Sequence, residues 1–226
     1  VKKYEQRRDQ LPPDKRPFIL EGNPDSKDPL SRERLDRMIE EEEYAGYGVL
    51  PNRTVKIKQR QDNPQFAAMV ESVDESLGRV IARLRRLDLE DDTIIIFTSD
   101  NGGMAAANYG NPKRVVPPDK LDAAYSTSNL LLRGAKGWLY EGGIRVPLII
   151  KWPGRGKVGS ICREPVTGTD YYPTVLDMAG VAGMPDQHLD GVSLAPLVCG
   201  ETTTLGRDAL YWHFPYYHPE RGYEKS

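Results

Sequence analysis

Residues 93–98, Thr-Ile-Ile-Ile-Phe-Thr, form a short apolar run that stops abruptly at Ser99-Asp100-Asn101-Gly102-Gly103. β-Branched and aromatic side chains suit a pleated surface, and a strand covered on both faces shows no polar alternation, so the run predicts a buried strand. In open α/β sheets the ligand crevice lies beyond the carboxyl ends of the strands, which is where Asp100 and Asn101 fall. Gly102 and Gly103 then allow a sharp turn and a close approach to an ion or anion. Asp, Asn and Gly also build ordinary turns. This segment alone leaves a strand-end site and a plain turn about equally open.

Helical patterning precedes the strand. Asp62-Asn63-Pro64 reads as a helix start, with a capping side chain followed by a proline in the first turn. Phe66, Met69, Val70, Val73, Leu77, Val80, Ile81, Leu84 and Leu87 recur at spacings of three and four, which predicts a long amphipathic helix packed on the sheet. Arg83, Arg85 and Arg86 sit near its end, where cations complement the helix dipole. Asp91-Asp92 lie at the amino end of the strand, away from the crevice, and read as a solvated turn. The first sixty residues are polar and proline-punctuated, with one helical stretch over 30–44 that ends in the solvated run Glu40-Glu41-Glu42-Glu43. Residues 104–131 form a long connection, a length commonly associated with function, and in this position it would rim a site.

A second motif is Arg133-Gly134-Ala135-Lys136-Gly137-Trp138-Leu139-Tyr140-Glu141-Gly142-Gly143-Ile144-Arg145-Val146-Pro147, followed by the apolar run Leu148-Ile149-Ile150-Lys151-Trp152. Together with Asp100-Asn101-Gly102 it resembles the sulfatase family of the alkaline-phosphatase superfamily, which carries Asp-Asn-Gly at a strand end, then Gly-x-Lys-Gly and Glu-Gly-Gly-x-Arg-x-Pro. Met69-Val70-Glu71-Ser72-Val73-Asp74, Leu77-Gly78-Arg79-Val80 and Thr169-Asp170-Tyr171-Tyr172-Pro173-Thr174-Val175-Leu176 are similar to family sequence as well, so the resemblance covers roughly 64–215.

The resemblance implies an α/β fold with a mostly parallel sheet flanked by helices, in which 93–98 and 147–152 are buried neighbours, and the start of a small carboxy-terminal α+β subdomain. Residues 1–205 would be the distal part of the α/β domain and 206–226 the beginning of the subdomain, with Leu210-Tyr211-Trp212-His213-Phe214 as an entering strand. It also implies that Asp100 and Asn101 ligate one divalent cation, calcium or alternatively magnesium, and that Lys136 contacts the sulfate ester. Carboxylate and amide oxygens suit a hard cation, although two residues supply only part of the roughly six to eight oxygens that calcium takes. A lysine ammonium beside the sulfate would offset charge developing in the transition state. Outside such a motif Lys136 would read as a solvated loop lysine. Arg133 and Arg145 either hold sulfate through their donor forks or brace the loop through carboxylates such as Glu141. His213, inside an aromatic stretch, divides evenly between substrate contact and aromatic packing, while His188 and His218 read as surface residues.

Asn101 separates neighbouring families. Phosphatases and mutases of the superfamily tend to carry Asp-His there and bind zinc or manganese, whereas oxygen-only donors favour one hard cation and sulfate-ester hydrolysis. A phosphoester hydrolase or transferase is the alternative reading, and a non-catalytic sulfatase-like module is the third. The family's nucleophile is a formylglycine made from the cysteine or serine of Cys/Ser-x-Pro-x-Arg, and none of the 18 prolines here has either residue two positions before it. The acidic pair that the family places after its first strand is missing too. Val1–Arg8 shows no initiator methionine and no signal-peptide core. The expectation is therefore a distal portion of a sulfatase whose nucleophile lies upstream, inactive by itself.

Charge excludes little beyond nucleic acid. The 31 basic and 33 acidic side chains are scattered and give a net charge of −2. No apolar run is long enough to span a bilayer. A sulfated carbohydrate or aryl sulfate is the expected substrate, and a periplasmic, extracellular or lysosomal location follows from the resemblance alone. Spacing says nothing of whether Cys162 and Cys199 pair, and nothing here indicates an oligomeric state.

Overall fold

A computed structural model describes residues 1–13, 18–22, 28, 30–44, 54–105, 124–184, 186 and 190–213. Its elements in chain order are α1 (Lys2–Asp9), β1 (Phe18–Glu21), α2 (Arg32–Met38), a 3-10 turn (Glu42–Tyr44), β2 (Val55–Lys58), α3 (Pro64–Arg86), β3 (Ile95–Thr98), α4 (Glu141–Ile144), β4 (Leu148–Lys151), a 3-10 turn (Gly168–Asp170), α5 (Tyr171–Met178) and α6 (Ala195–Cys199). They form two compact units, one of residues 1–79, 99–147 and 213–226, the other of 80–98 and 148–212.

In the first unit β1 and β2 pair antiparallel, with Phe18 opposite Lys58, Ile19 opposite Ile57 and Leu20 opposite Lys56. Side chains alternate across such a ribbon, so its two faces bury different partners. Leu20 packs with Leu35 and Met38 of α2, whose start is capped by the Ser31 hydroxyl accepting from the Arg34 amide at 3.2 Å. On the opposite face Ile57 packs with Ala105, Ala135, Ile19 and Trp138. Burying Ile57 contributes on the order of 1.5–3 kcal/mol, and it ties the ribbon to the loop that carries Lys136. Burial also lowers the Lys56 ammonium to about 8. Neither this ribbon nor α1 was expected from the proline-punctuated sequence of the first sixty residues, because four-residue strands are too short to leave a periodic signal.

The helix start at 62–64 is as predicted. Asn63 Oδ1 accepts from the amides of Gln65 at 2.9 Å and Phe66 at 3.0 Å, and Pro64 occupies the first helical position. The stretch expected over 30–44 is helical over Arg32–Met38 and Glu42–Tyr44. The expectation that the long helix buries its apolar face is not met. Pro64 is its only buried residue among those described, while Met69, Val70, Val73 and Val80 are 63, 55, 52 and 54% exposed. Periodicity specifies a helix with an apolar stripe, but what covers that stripe is a tertiary matter.

The pairing of 93–98 with 147–152 is confirmed and its direction corrected. β3 and β4 are neighbours, but antiparallel, with Thr98 opposite Leu148 and Ile95 opposite Lys151. Both sheets among the described residues are two-stranded and antiparallel. The physical reason lies just past the strands: the Gly102 amide donates to the Gly143 carbonyl at 2.8 Å, so the chain returns to the point it left and β4 begins where β3 ends. Strand composition carries no information about direction, and a long connection accommodates either. The strands are also only half buried, with Ile149 63% exposed.

In the second unit, Asp170 is the central polar group. It is fully buried and accepts from the amides of Thr167 and Val192 and from both terminal nitrogens of Arg207, at 2.8 and 2.6 Å. Burial alone would raise its carboxyl, but Arg207 and the two amides outweigh that and hold it below the usual range. The Thr174 hydroxyl relays the network, donating to the Asp170 carbonyl and accepting from the Leu194 amide. Tyr171 joins α5 to β3, its hydroxyl 3.2 Å from Thr98 Oγ1. Residues 210–213 are not in strand conformation, whereas a strand entering a subdomain was expected over 210–214, and Tyr211 is 92% exposed. Phe214, like His188 and His218, lies outside the described residues, as does most of the connection over 104–131. Cys162 and Cys199 are free thiols.

Candidate active site

The two motifs of the sequence are interlocked through backbone. Beyond the bond between Gly102 and Gly143, the Lys136 amide donates to the Gly103 carbonyl at 3.1 Å, and the Gly142 amide donates to the Arg133 carbonyl at 2.6 Å. The glycines are demanded by this contact. A Cβ on Gly102 would lie 1.9 Å from the Gly142 carbonyl oxygen, and one on Gly143 would lie 2.1 Å from the Trp138 oxygen. Asp-Asn-Gly-Gly and Gly-Ala-Lys-Gly…Glu-Gly-Gly are therefore two halves of one structure, and within it the strand-end donors and the Lys136 loop are held together.

Asn129, which the sequence did not single out, is its hub. Its side-chain nitrogen donates to the Gly103 carbonyl at 2.8 Å and the Gly142 carbonyl at 3.0 Å, with Gly134 more distant at 3.4 Å. An asparagine after Ser-Thr-Ser looks like any turn residue, and only its three acceptors in space reveal the role. Glu21 was missed as well. It ends β1 beside the loop, where burial raises its carboxyl against the opposing pull of the Arg133 guanidinium and the Gly134 amide.

The site residues themselves divide. Asp100 is exposed and has no hydrogen bond or ion pair to another described residue. Asn101 is half buried, and its side-chain nitrogen donates to the Gly102 carbonyl at 3.0 Å, which leaves Oδ1 as its open donor to a cation. The donor set is thus a carboxylate and an amide oxygen, which fits calcium or magnesium and lacks the imidazole or thiolate that zinc favours. Among the described residues no cluster of three or more His, Cys, Asp or Glu side chains completes it. Lys136 is exposed on its loop. Arg133 stacks on the Tyr140 ring, its guanidinium carbon 4.0 Å from the centroid, and Trp138 lies 6.0 Å from the same ring. Arg145 reaches Glu141 at 3.4 Å, one helical turn away and exposed. Both contacts are made within residues 133–145. His213 is exposed, and no hydrogen bond, ion pair or ring contact joins it to the other five residues.

The chain matches the Sulfatase family model over residues 3–181 and belongs to the sulfatase family. It is 33% identical over 158 residues to the steryl-sulfatase of Rattus norvegicus, covering 66% of this chain and 26% of that protein. To a sulfatase of Formosa agariphila it is 34% identical over 180 residues, covering 74% of this chain and 29% of that protein. Among solved structures it is similar to crystalline Ps i-CgsB, with 31% identity and a TM-score of 0.51 over 63% of this chain and 28% of that one. The matched region is thus between a quarter and a third of each relative's length. No helix among the described residues is long and apolar enough to cross a membrane.

Proposed function

We propose that this chain is part of a metal-dependent sulfuric ester hydrolase, supplying cation ligands and a sulfate-binding lysine to a site whose nucleophile, a formylglycine by family resemblance, is not encoded in these 226 residues. The observation that carries the reading is the backbone lock between the two family motifs, because it ties the strand-end oxygens and the lysine loop to one scaffold. Asp100 and Asn101 would hold the cation, calcium or magnesium, through their side-chain oxygens. When bound, the cation polarises the sulfate group. Lys136 would place its ammonium against the sulfate oxygens and the leaving oxygen, where negative charge builds up in the transition state, and the Arg133 and Arg145 braces keep its loop in place. His213 would contact the substrate from the approach side.

The mostly parallel sheet expected of the family and a subdomain starting at 206 belong to the same reading, with 1–205 as the distal part of the α/β domain. The β3–β4 pair would then be an antiparallel edge, a common feature of mixed sheets. Sulfated carbohydrates or aryl sulfates are the proposed substrates, in a periplasmic, extracellular or lysosomal setting. A phosphoester hydrolase is less well supported, since Asn101 stands where an imidazole ligand would be needed.

The test compares this chain with a version extended upstream through the expected Cys/Ser-x-Pro-x-Arg motif, on a chromogenic aryl sulfate with calcium present. Activity is expected only in the extended version, and Lys136→Ala should abolish it. Equal activity in both would require a nucleophile inside this chain, and activity restored by zinc alone would overturn the hard-cation assignment.

A further inference from the structure

We infer that Asn129 is a positioning residue for the sulfate-ester reaction, fixing the spacing between the cation ligands and Lys136. The inference rests on the proposed function and concerns a residue with no other assigned role. Gly103, whose carbonyl Asn129 grips at 2.8 Å, is two residues beyond Asn101. Gly142, gripped at 3.0 Å, is the second residue of α4, six residues beyond Lys136, and Gly134 is two residues before Lys136. One amide nitrogen therefore connects both sides of the site. The Lys136 amide shares the Gly103 carbonyl at 3.1 Å, so the lysine's own backbone is bound to the same oxygen that Asn129 holds.

The fit is specific to an asparagine. A Cβ on Gly103 would lie 2.7 Å from Asn129 Oδ1 and 2.4 Å from Thr127 Cγ2, so the side chain and the strand end are packed against each other without spare volume. Three carbonyl oxygens converge on Asn129, and only a donor satisfies them. Aspartate has the same shape but would turn a carboxylate toward those oxygens, reversing the electrostatics. Asn129 is itself anchored from outside the motifs. The Ser128 carbonyl accepts from Gln61 Nε2 at 2.7 Å, and the Asn129 carbonyl accepts from the Leu132 amide at 2.8 Å. A rigid anchor on one side and three gripped carbonyls on the other are what a spacer requires. Displacement of a catalytic group by about an ångström costs on the order of a hundredfold in rate.

The experiment uses the upstream-extended protein, with Asn129→Ala, Asn129→Asp and, as a comparison, Asp170→Asn in the network around Arg207. Turnover of a chromogenic aryl sulfate, calcium affinity by titration calorimetry and melting temperature are measured on each. Asn129→Asp is expected to lose about a hundredfold in kcat with little change in KM, and to bind calcium more weakly, as is Asn129→Ala. Asp170→Asn should melt lower while keeping kcat and calcium affinity below its transition. Native kcat and calcium affinity in both Asn129 variants overturn the inference and leave the proposed function intact. If the native protein has no sulfatase activity but the Asn129 variants still lose calcium affinity, the proposed function falls and what remains is that Asn129 positions the cation ligands. Losses of kcat and calcium affinity that appear only at temperatures where the Asn129 variants are partly unfolded reduce Asn129 to a structural residue.

Discussion

The amide of Gly102 donates to the carbonyl of Gly143 at 2.8 Å, and the ideal Cβ position on Gly102 lies 1.9 Å from the carbonyl oxygen of Gly142. Two turns more than thirty residues apart in sequence touch backbone to backbone, with no room between them for a single methyl group. This contact joins the two motifs on one backbone scaffold, and beyond β3 it brings the chain back toward the start of β4.

Gly102→Ala should therefore part the two turns. Overpacking of this kind costs about 1–3 kcal/mol, which denaturant unfolding will read as a lower midpoint with an unchanged slope. Lys136→Ala, whose side chain is exposed, should leave the midpoint near native. A Gly102→Ala protein as stable as the native one would mean that the turns are not held this closely.

The oxygen-only donor set makes a prediction about metals. In the upstream-extended protein Asp100→Ala should weaken cation affinity and reduce turnover, and Asn101→Ala should act in the same direction. After chelation, calcium or magnesium should restore activity better than zinc, because two hard oxygens and no imidazole favour the former. Activity indifferent to chelator would remove both residues from the site.

Asp170 and Arg207 form an ion pair, 2.6 Å apart, in which the aspartate is fully enclosed and Arg207 is 18% exposed. Removing Arg207 leaves the enclosed carboxylate without its counter-charge, at a cost of about 3–5 kcal/mol. Arg207→Ala should destabilise strongly and Asp170→Ala less, and the double variant should cost less than the sum of the two. Strict additivity in that cycle would show that the pair is not coupled.

Glu90 carries a pH dependence. Hydrogen bonds from Arg85 at 2.5 Å and Lys151 at 2.9 Å hold its carboxyl down to about 2, from an ordinary 4.5. A carboxylate depressed in the folded state stabilises above its unfolded value, and that stabilisation is lost as pH falls through the folded one. Glu90→Gln should thus melt below the native protein at neutral pH, with the gap narrowing from about pH 4.5 toward pH 2. A gap that is constant over this range would exclude the ion pairs as its source. Glu90 is half-buried, but Arg85 is 65% exposed and Lys151 39%, so the effect is expected to weaken with added salt.

Much of this protein was legible before its structure. The Asn63-Pro64 helix start, the apolar strand over 93–98, its neighbour at 148–151 and the family all follow from local signals: a cap bonds amides two and three residues away, an apolar run marks a strand, and two spaced motifs mark a lineage. What tertiary structure decided are relations between distant residues. β3 and β4 run antiparallel because a glycine contact brings the chain back to its exit, and no strand composition encodes that. The apolar stripe of α3 is real, yet whether Met69 and Val73 are covered depends on what packs there, and both remain more than half exposed. Asn129 and Glu21 look like ordinary polar residues in the sequence, because the carbonyls and guanidinium that give them meaning arrive from other parts of the chain. Local sequence specifies which groups a segment can offer, and only the fold determines which groups face them.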